Sequence, residues 1–398
     1  MLFAGARVHV RNAKERDILK APVRFAMGTA ISDNNRRCLR SEGSCWPLFL
    51  ALLSYLIVLC AGLICHEMWR DELQAWSISS GASSFAEVFQ NARYEPDLNL
   101  WFGALFYLSL VWDSPEVMQL FHGALAVVVC TLVLFFSPFR IRHRIGFIFG
   151  YFLLFEYALI SRPYVLLVLF LFLSCVLFTR GKRIRAALCL GVMCQVSIYG
   201  LILALPFFGF LFYGDKGGGA GSFGRFRDSR EGLVLLGIAG IALLCGAMQV
   251  SVPADFAFGS EETKLLSLRH LMESVGTLCN GLLPIPGFAV HFWNRHIFPV
   301  EIRWLAGAGM LAITCRLISR RRGIMLLYLV GVLLLLGFVY FVNIGGMRHH
   351  GLYFVWFMVC FWLSYRDVYS VSGGVFLSAV LAVHICAGLF ATGMDLML

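Results

Sequence analysis

Residues 46–65 read WPLFLALLSYLIVLCAGLIC and are followed at once by His66-Glu67-Met68-Trp69-Arg70-Asp71-Glu72-Leu73-Gln74-Ala75-Trp76. Twenty consecutive residues without a charge are long enough to cross the hydrocarbon core of a bilayer as an α-helix. The segment after them is polar and acidic. Glu67, Asp71, Glu72, Glu87, Glu95 and Asp97 place six carboxylates within thirty-one residues of a chain that is only 14% charged and carries a net charge of +10. The join between the two stretches therefore predicts the end of a membrane helix opening into a chemically active loop.

Composition extends the first half of that reading to the whole chain. With 59% hydrophobic residues, 36 Phe among 398 and repeated apolar stretches, a soluble globule is excluded. The fold class expected is all-α: a polytopic transmembrane helix bundle of about eleven spans, with juxtamembrane helices in the first outer loop. The spans fall near 46–65, 116–137, 145–161, 163–179, 184–199, 201–213, 232–251, 302–318, 323–342, 350–365 and 373–392. Leu98–Trp112 is also apolar, and is read as a juxtamembrane helix because counting it would reverse the side on which the later basic loops lie. The pair 184–199 and 201–213 is divided at Tyr199-Gly200 for the same reason of parity.

Positive charge sets the expected orientation. The tail 1–45, the loops at Arg140–Arg144, Arg180–Arg185, Lys216–Arg230 and Arg316–Arg322, and Arg366 together hold 25 of the 33 Lys and Arg. Such an excess marks cytoplasmic loops. Two regions follow, a basic cytoplasmic tail over 1–45 and a multi-span domain over 46–398 with outer loops 66–115 and 252–301. The location implied is the inner, or plasma, membrane, with the N-terminus inside. The first apolar run reads as a retained anchor, since it begins late and lacks an evident cleavage site. The 13 Cys form no CxxC pair and mostly lie in apolar runs, so they read as small hydrophobes. Gly217–Gly221 lacks the Lys-Ser/Thr of a phosphate-binding loop and reads as a linker.

Four segments converge on the outer side in this topology: 66–115, 156–164, 252–301 and 343–351. Ser84 with Glu87 forms a capping box that opens a short helix after Gly81. Leu73, Trp76, Phe85, Val88 and Phe89 recur at helical spacing, as in helices lying in the interface plane. Glu156 stands near the outer end of a span with Arg162 as its expected partner, and an ionisable residue at membrane depth signals function unless it serves as a buried structural pair. Arg348, His349 and His350 sit between Gly345-Gly346 and Gly351, glycines that would let a phosphate approach the backbone; the bland reading is a snorkelling Arg at the interface. A carboxylate base facing an Arg/His cluster suits transfer of a group from a phosphate leaving group to a neutral acceptor. At a membrane surface, that leaving group belongs to a lipid.

At these residues the chain resembles the GT-C membrane glycosyltransferases that use polyprenyl-phosphate sugars. Trp69-Arg70-Asp71-Glu72-Leu73-Gln74-Ala75-Trp76, then Arg93-Tyr94-Glu95, Leu100-Trp101, Glu156-Tyr157, Ser161-Arg162 and Arg348-His349 with Gly351, resemble the bacterial mannosyl- and aminoarabinosyl-transferase-like group, over roughly residues 46–365. The resemblance implies that Asp71 is the catalytic carboxylate with Glu72 beside it. Arg348 and His349 would bind the donor phosphate, while Arg70, Arg93, Glu95, Asp97, Glu156 and Arg162 would line the substrate site. It implies as partners a polyprenyl-phosphate sugar, membrane lipids and a glycan, lipid or protein acceptor, with no nucleic acid. Glu95-Pro96-Asp97 departs from the His-Pro or Pro-Pro pair of many relatives, and the chain stops at Leu398 where many continue. No cofactor is assigned. Glu67, Asp71, Glu95, Asp97, His66, His291, His349 and His350 could supply ligands, and Mg or Mn would then fit better than Zn. A transporter or flippase, or a non-catalytic subunit of an envelope assembly complex, are the alternatives.

Overall fold

The computed structural model describes residues 45–95, 97–213, 229–250, 267–287, 295–368 and 371–397. The basic tail before Cys45, Pro96, the glycine-rich linker and His291 lie outside the described residues, as does the side chain of Arg366. Every regular element described is helical. Two isolated β-bridges, Asp97 with Ser197 and Pro286 with His296, are its only β-type pairings among those residues.

In chain order the α-helices are α1 (Trp46–Cys65), α2 (Arg70–Ser80), α3 (Phe85–Asn91), α4 (Asn99–Ser109), α5 (Glu116–Phe136), α6 (Ile141–Ile148), α7 (Tyr164–Thr179) and α8 (Arg183–Met193). They continue with α9 (Ile198–Tyr213), α10 (Arg230–Gln249), α11 (Leu268–Leu282), α12 (Val300–Ile318), α13 (Arg322–Phe341), α14 (Met347–Val368) and α15 (Val371–Asp395). Five of them, α1, α5, α10, α13 and α15, are long and apolar enough to cross a membrane, and α7 and α9 are shorter apolar helices. This is the composition of a membrane protein. The expected eleven spans are not all met by helices of that length.

Three local differences from the sequence reading have physical causes. The run 145–161 is not one helix: α6 ends at Ile148, a single π-turn follows over Phe152–Glu156, and Ser161-Arg162-Pro163 leads into α7. Pro163 has no N–H to give and stands just before the first residue of α7, where a missing donor costs nothing. The second break lies at Cys194–Ser197, four residues before the expected one. Its freed carbonyls are satisfied from α4, since Leu98 N–H donates to Val196 O at 3.0 Å and Leu100 N–H to Gln195 O at 3.2 Å. Third, the loop expected over 252–301 contains α11, an amphipathic helix packed on α12 and α14.

Over Leu98–Trp112, expected to be a juxtamembrane helix, the structure has the short helix α4. Eleven residues rise only about 16 Å, too little to cross a bilayer. It packs on α2 and α3 through the buried Trp101, Phe102, Leu105 and Phe106. Ser84 caps α3 by accepting the Glu87 N–H, but the Glu87 carboxylate turns back to Ser83 rather than closing the expected box with Ser84.

α14 is closely packed. Its residues Leu352–Trp362 are buried on every side, as a helix apolar all round must be. α14 packs on α7, α11 and α13 and on the π-turn. Gly351 permits the last contact, because a Cβ there would collide with the Phe152 ring and the Tyr157 hydroxyl. Replacing Gly351 with Ala is expected to destabilise the protein by about 1–3 kcal/mol, the usual cost of overpacking. Thermal unfolding in detergent measures it, and an unchanged midpoint would contradict this packing.

Candidate active site

The first turn of α2 and the turn before α7 are held together by one carboxylate. Glu72 is fully buried, and its Oε1 accepts the Ser161 N–H at 2.6 Å while its Oε2 accepts the Trp69 N–H at 2.8 Å. His66 Nε2 approaches the same Oε2 at 3.1 Å. The Trp69 bond also satisfies an N-terminal donor of α2, with the negative charge at the favourable end of the helix dipole. Both oxygens of Glu72 are thus committed. The expected catalytic role beside Asp71 becomes a positioning role.

Each of these anchors stands next to a charged residue. Asp71 precedes Glu72 and Arg162 follows Ser161. Arg162 Nη1 donates to the Asp71 carbonyl at 2.9 Å, and its Nη2 donates to Asp97 Oδ2 at 2.9 Å. Asp97 is delivered by the bridge to Ser197, so the gap between α8 and α9 sets its depth. Arg348, at the start of α14, donates from Nη2 to Asp71 Oδ2 at 2.6 Å. Its Nη1 is buried without a hydrogen-bond partner among the described residues. Tyr157 hydroxyl donates to the Arg348 carbonyl at 2.6 Å and fixes the backbone of that segment.

The two aspartates are tuned in opposite directions. Burial pushes Asp71 up, but Arg348 outweighs it, with help from Arg162 and Arg70, and the net is a carboxyl below its usual value. For Asp97 burial prevails over Arg162, so that carboxyl is raised. Burial also raises Glu95, which accepts from Gln74 Nε2 at 2.5 Å. Asp71 is the accessible member, its side chain 42% exposed against 4% for Asp97.

His349 joins the cluster through aromatic packing, stacked on Tyr199 at 5.2 Å and edge-on to Tyr164 at 5.6 Å. Its Nδ1 accepts the Gly346 N–H at 2.9 Å, so the neutral ring carries its proton on Nε2. Gly345 has φ of 72°, and a Cβ there would collide with the His349 ring. The glycines around Arg348 thus serve the turn and close packing.

Not every expected residue arrives. Arg70 is exposed and reaches Asp71 only through its field. Arg93 is exposed and folds over Tyr94, 4.6 Å from the ring centroid. Glu156 is buried and accepts from the Tyr151 hydroxyl at 2.8 Å, so its expected pairing with Arg162 is replaced. His350 faces away, bonded to Asn280 and Ile344. Among the described residues no group of three or more His, Cys, Asp or Glu could hold a metal ion. Asp71 and Asp97 are engaged by arginines, so these residues do not fit a resident Mg or Mn. Tyr164 and Tyr199 are site residues that the sequence reading misses, and His66, expected only as a possible metal ligand, serves Glu72 instead; Tyr157 and Tyr164 lie in or beside the Glu156–Arg162 motif, whereas nothing local marks Tyr199.

Comparison with protein families, curated proteins and solved structures returns no match.

Arg162→Met should cost about 3–5 kcal/mol by stranding the buried Asp97. The double variant with Asp97→Asn should be more stable than the two single penalties predict, by about 0.5–3 kcal/mol. Chemical unfolding of the four proteins in detergent gives the coupling. Strict additivity would show that the pair contributes no mutual stabilisation.

Proposed function

We propose that this chain is an integral membrane glycosyltransferase that moves a sugar from a polyprenyl-phosphate donor to an acceptor hydroxyl of the cell envelope. The observation that carries the reading is the Asp71–Arg348 pair, a half-exposed carboxylate held by a cation that keeps one buried N–H unpartnered. A buried donor without an acceptor is costly unless a ligand meets it. A lipid phosphate supplies the acceptor. The basic-loop asymmetry supports an N-terminus in the cytoplasm and a site on the outward face of the plasma membrane.

The chemistry follows from the two partners. Asp71 takes the proton of the acceptor hydroxyl as its oxygen forms a bond to the anomeric carbon of the sugar. The bond from that carbon to the phosphate oxygen breaks, and its electron pair leaves with the phosphate. Arg348 and the Nε2–H of His349 meet the growing negative charge. Asp97 and Arg162 hold the floor of the site, and Asp71 afterwards releases its proton to solvent.

The pair also couples binding to base strength. While Arg348 holds Asp71, the carboxylate is a weak base. A donor phosphate that draws Arg348 away lets Asp71 recover its basicity in the occupied site. The neutral, volume-conserving Asp71→Asn should therefore abolish transfer yet tighten binding of polyprenyl phosphate about fivefold, because a partly exposed pair is worth about 1 kcal/mol. Arg348→Ala should weaken the same binding by about 1.5–3 kcal/mol. Native mass spectrometry in lipid nanodiscs reads both, and an active Asp71→Asn enzyme would end the proposal.

One observation favours the transporter reading. The helix breaks at 149–163 and 194–197 adjoin the charged cluster, as discontinuous helices adjoin substrate sites in transporters. Transfer of labelled sugar by purified protein in sealed vesicles, against movement of the intact lipid, separates the two.

A further inference from the structure

His66 lies at the C-terminal end of α1, with its backbone N–H bonded to Gly62 O at 2.7 Å. Its side chain has no exposure. Nε2 stands 3.1 Å from Glu72 Oε2, and Nδ1 stands 3.0 Å from Asp395 Oδ2 and 3.2 Å from Oδ1. Asp395 is the last residue of α15, so the imidazole joins that helix to the carboxylate that organises the site.

Both ring nitrogens face carboxylate oxygens. A neutral imidazole has one N–H and one lone pair, so it can satisfy only one of the two and sets its lone pair against the other. The imidazolium satisfies both. The remaining groups facing the ring oppose its charge weakly or not at all: from α5, Gln119 Nε2 lies 3.5 Å from the His66 carbonyl, and His122 is a neighbouring imidazole that contributes a small repulsion. Trp69 packs at 6.2 Å. Burial by itself would discharge the ring, but the bonds from Asp395 and Glu72 outweigh it and carry His66 up to about 9.

We infer that His66 and Asp395 are positioning residues of the site, an imidazolium and a carboxylate that hold Glu72 in place so that Asp71 and Arg162 stay in register. The inference rests on the transferase reading only for what the site does to its substrate. Glu72 needs a cation because it is a buried anion whose other two donors are neutral amides. With His66 discharged, Glu72 loses its one cationic partner and its hold on the Ser161 and Trp69 amides loosens. Asp71, two residues after Trp69, and Arg162, one residue after Ser161, then drift apart. Since the folded value lies above that of a free histidine, this support is complete below about pH 6.5 and is lost as pH rises through about 9.

The test uses the full chain in lipid nanodiscs. Nitrogen-15 histidine spectra, with the His66 signals assigned by their loss in His66→Gln, should show both ring nitrogens protonated at pH 8. Hydrogen exchange followed by mass spectrometry should show the amides of Trp69 and Ser161 exchanging at least tenfold faster in His66→Gln and in the isosteric Asp395→Asn. Asp395→Glu should restore protection, and peptides from 352–362 should not change in any variant. Neither measurement needs a sugar donor, so each can fail while transfer stands, and each can succeed if the protein transfers nothing. Where transfer is measured, Asp395→Asn should lower kcat at least tenfold with KM for the lipid donor within twofold. A neutral His66 at pH 8, or unchanged exchange at both amides in both variants, overturns the assignment.

Discussion

The structure of this site depends on the burial of one charge. Glu72 has no contact with solvent, and a carboxylate taken from water into a low-dielectric interior is stable only if donors fill its lone pairs. It finds them in two backbone amides and an imidazole drawn from two parts of the chain, the stretch 66–69 just before it and the turn at Ser161. Removing any of these would leave an uncompensated charge, so the segments are tied as firmly as the charge is costly to bury. The residues that carry the chemistry gain their geometry from this tie rather than from their own contacts. Asp71 adjoins Glu72 itself, and Arg162 is one residue from the Ser161 amide bonded to it.

From that fixed base, similar groups acquire different properties through depth. Asp71 and Asp97 share the Arg162 side chain, one through its backbone carbonyl and the other through its carboxylate. Asp97 lies deep, and desolvation lifts it; Asp71 lies at the opening, and Arg348 holds it down. One carboxyl is therefore placed to hold an arginine and the other to exchange its cation with an arriving anion. The tyrosines complete the wall. Tyr157 fixes the backbone at Arg348, and Tyr164 with Tyr199 fixes the plane of the His349 ring.

Local signals carried much of the fold into view. The apolar run Trp46–Cys65, the cap at Ser84 and the short helix after Leu98 are legible because hydropathy and capping act within a few residues. The readings that changed depend on distant partners. Arg162 adjoins Glu156 in sequence but is claimed by Asp97, 65 residues away. The gap between α8 and α9 lies at Cys194–Ser197 because α4 donates to its carbonyls there. Arg93 stands in the same acidic loop as Asp97, yet the ring beside it is the nearer partner. α11 was hidden in a loop because its polar face interrupts the apolar pattern that marks a span.

The sequence alone determined that the protein is helical and belongs in a membrane, since composition and twenty-residue apolar runs leave no other way to satisfy the backbone in lipid. It also pointed to Asp71, Asp97, Arg162 and Arg348 as chemically unusual, because charge is scarce in this chain. Their pairing was decided only by tertiary structure. Arg348 meets Asp71 across 277 residues and His66 meets Asp395 across 329, and no local pattern encodes a contact of that range. Such contacts form because a charge buried by the packing of the helices must find its opposite in whichever segment the fold brings near.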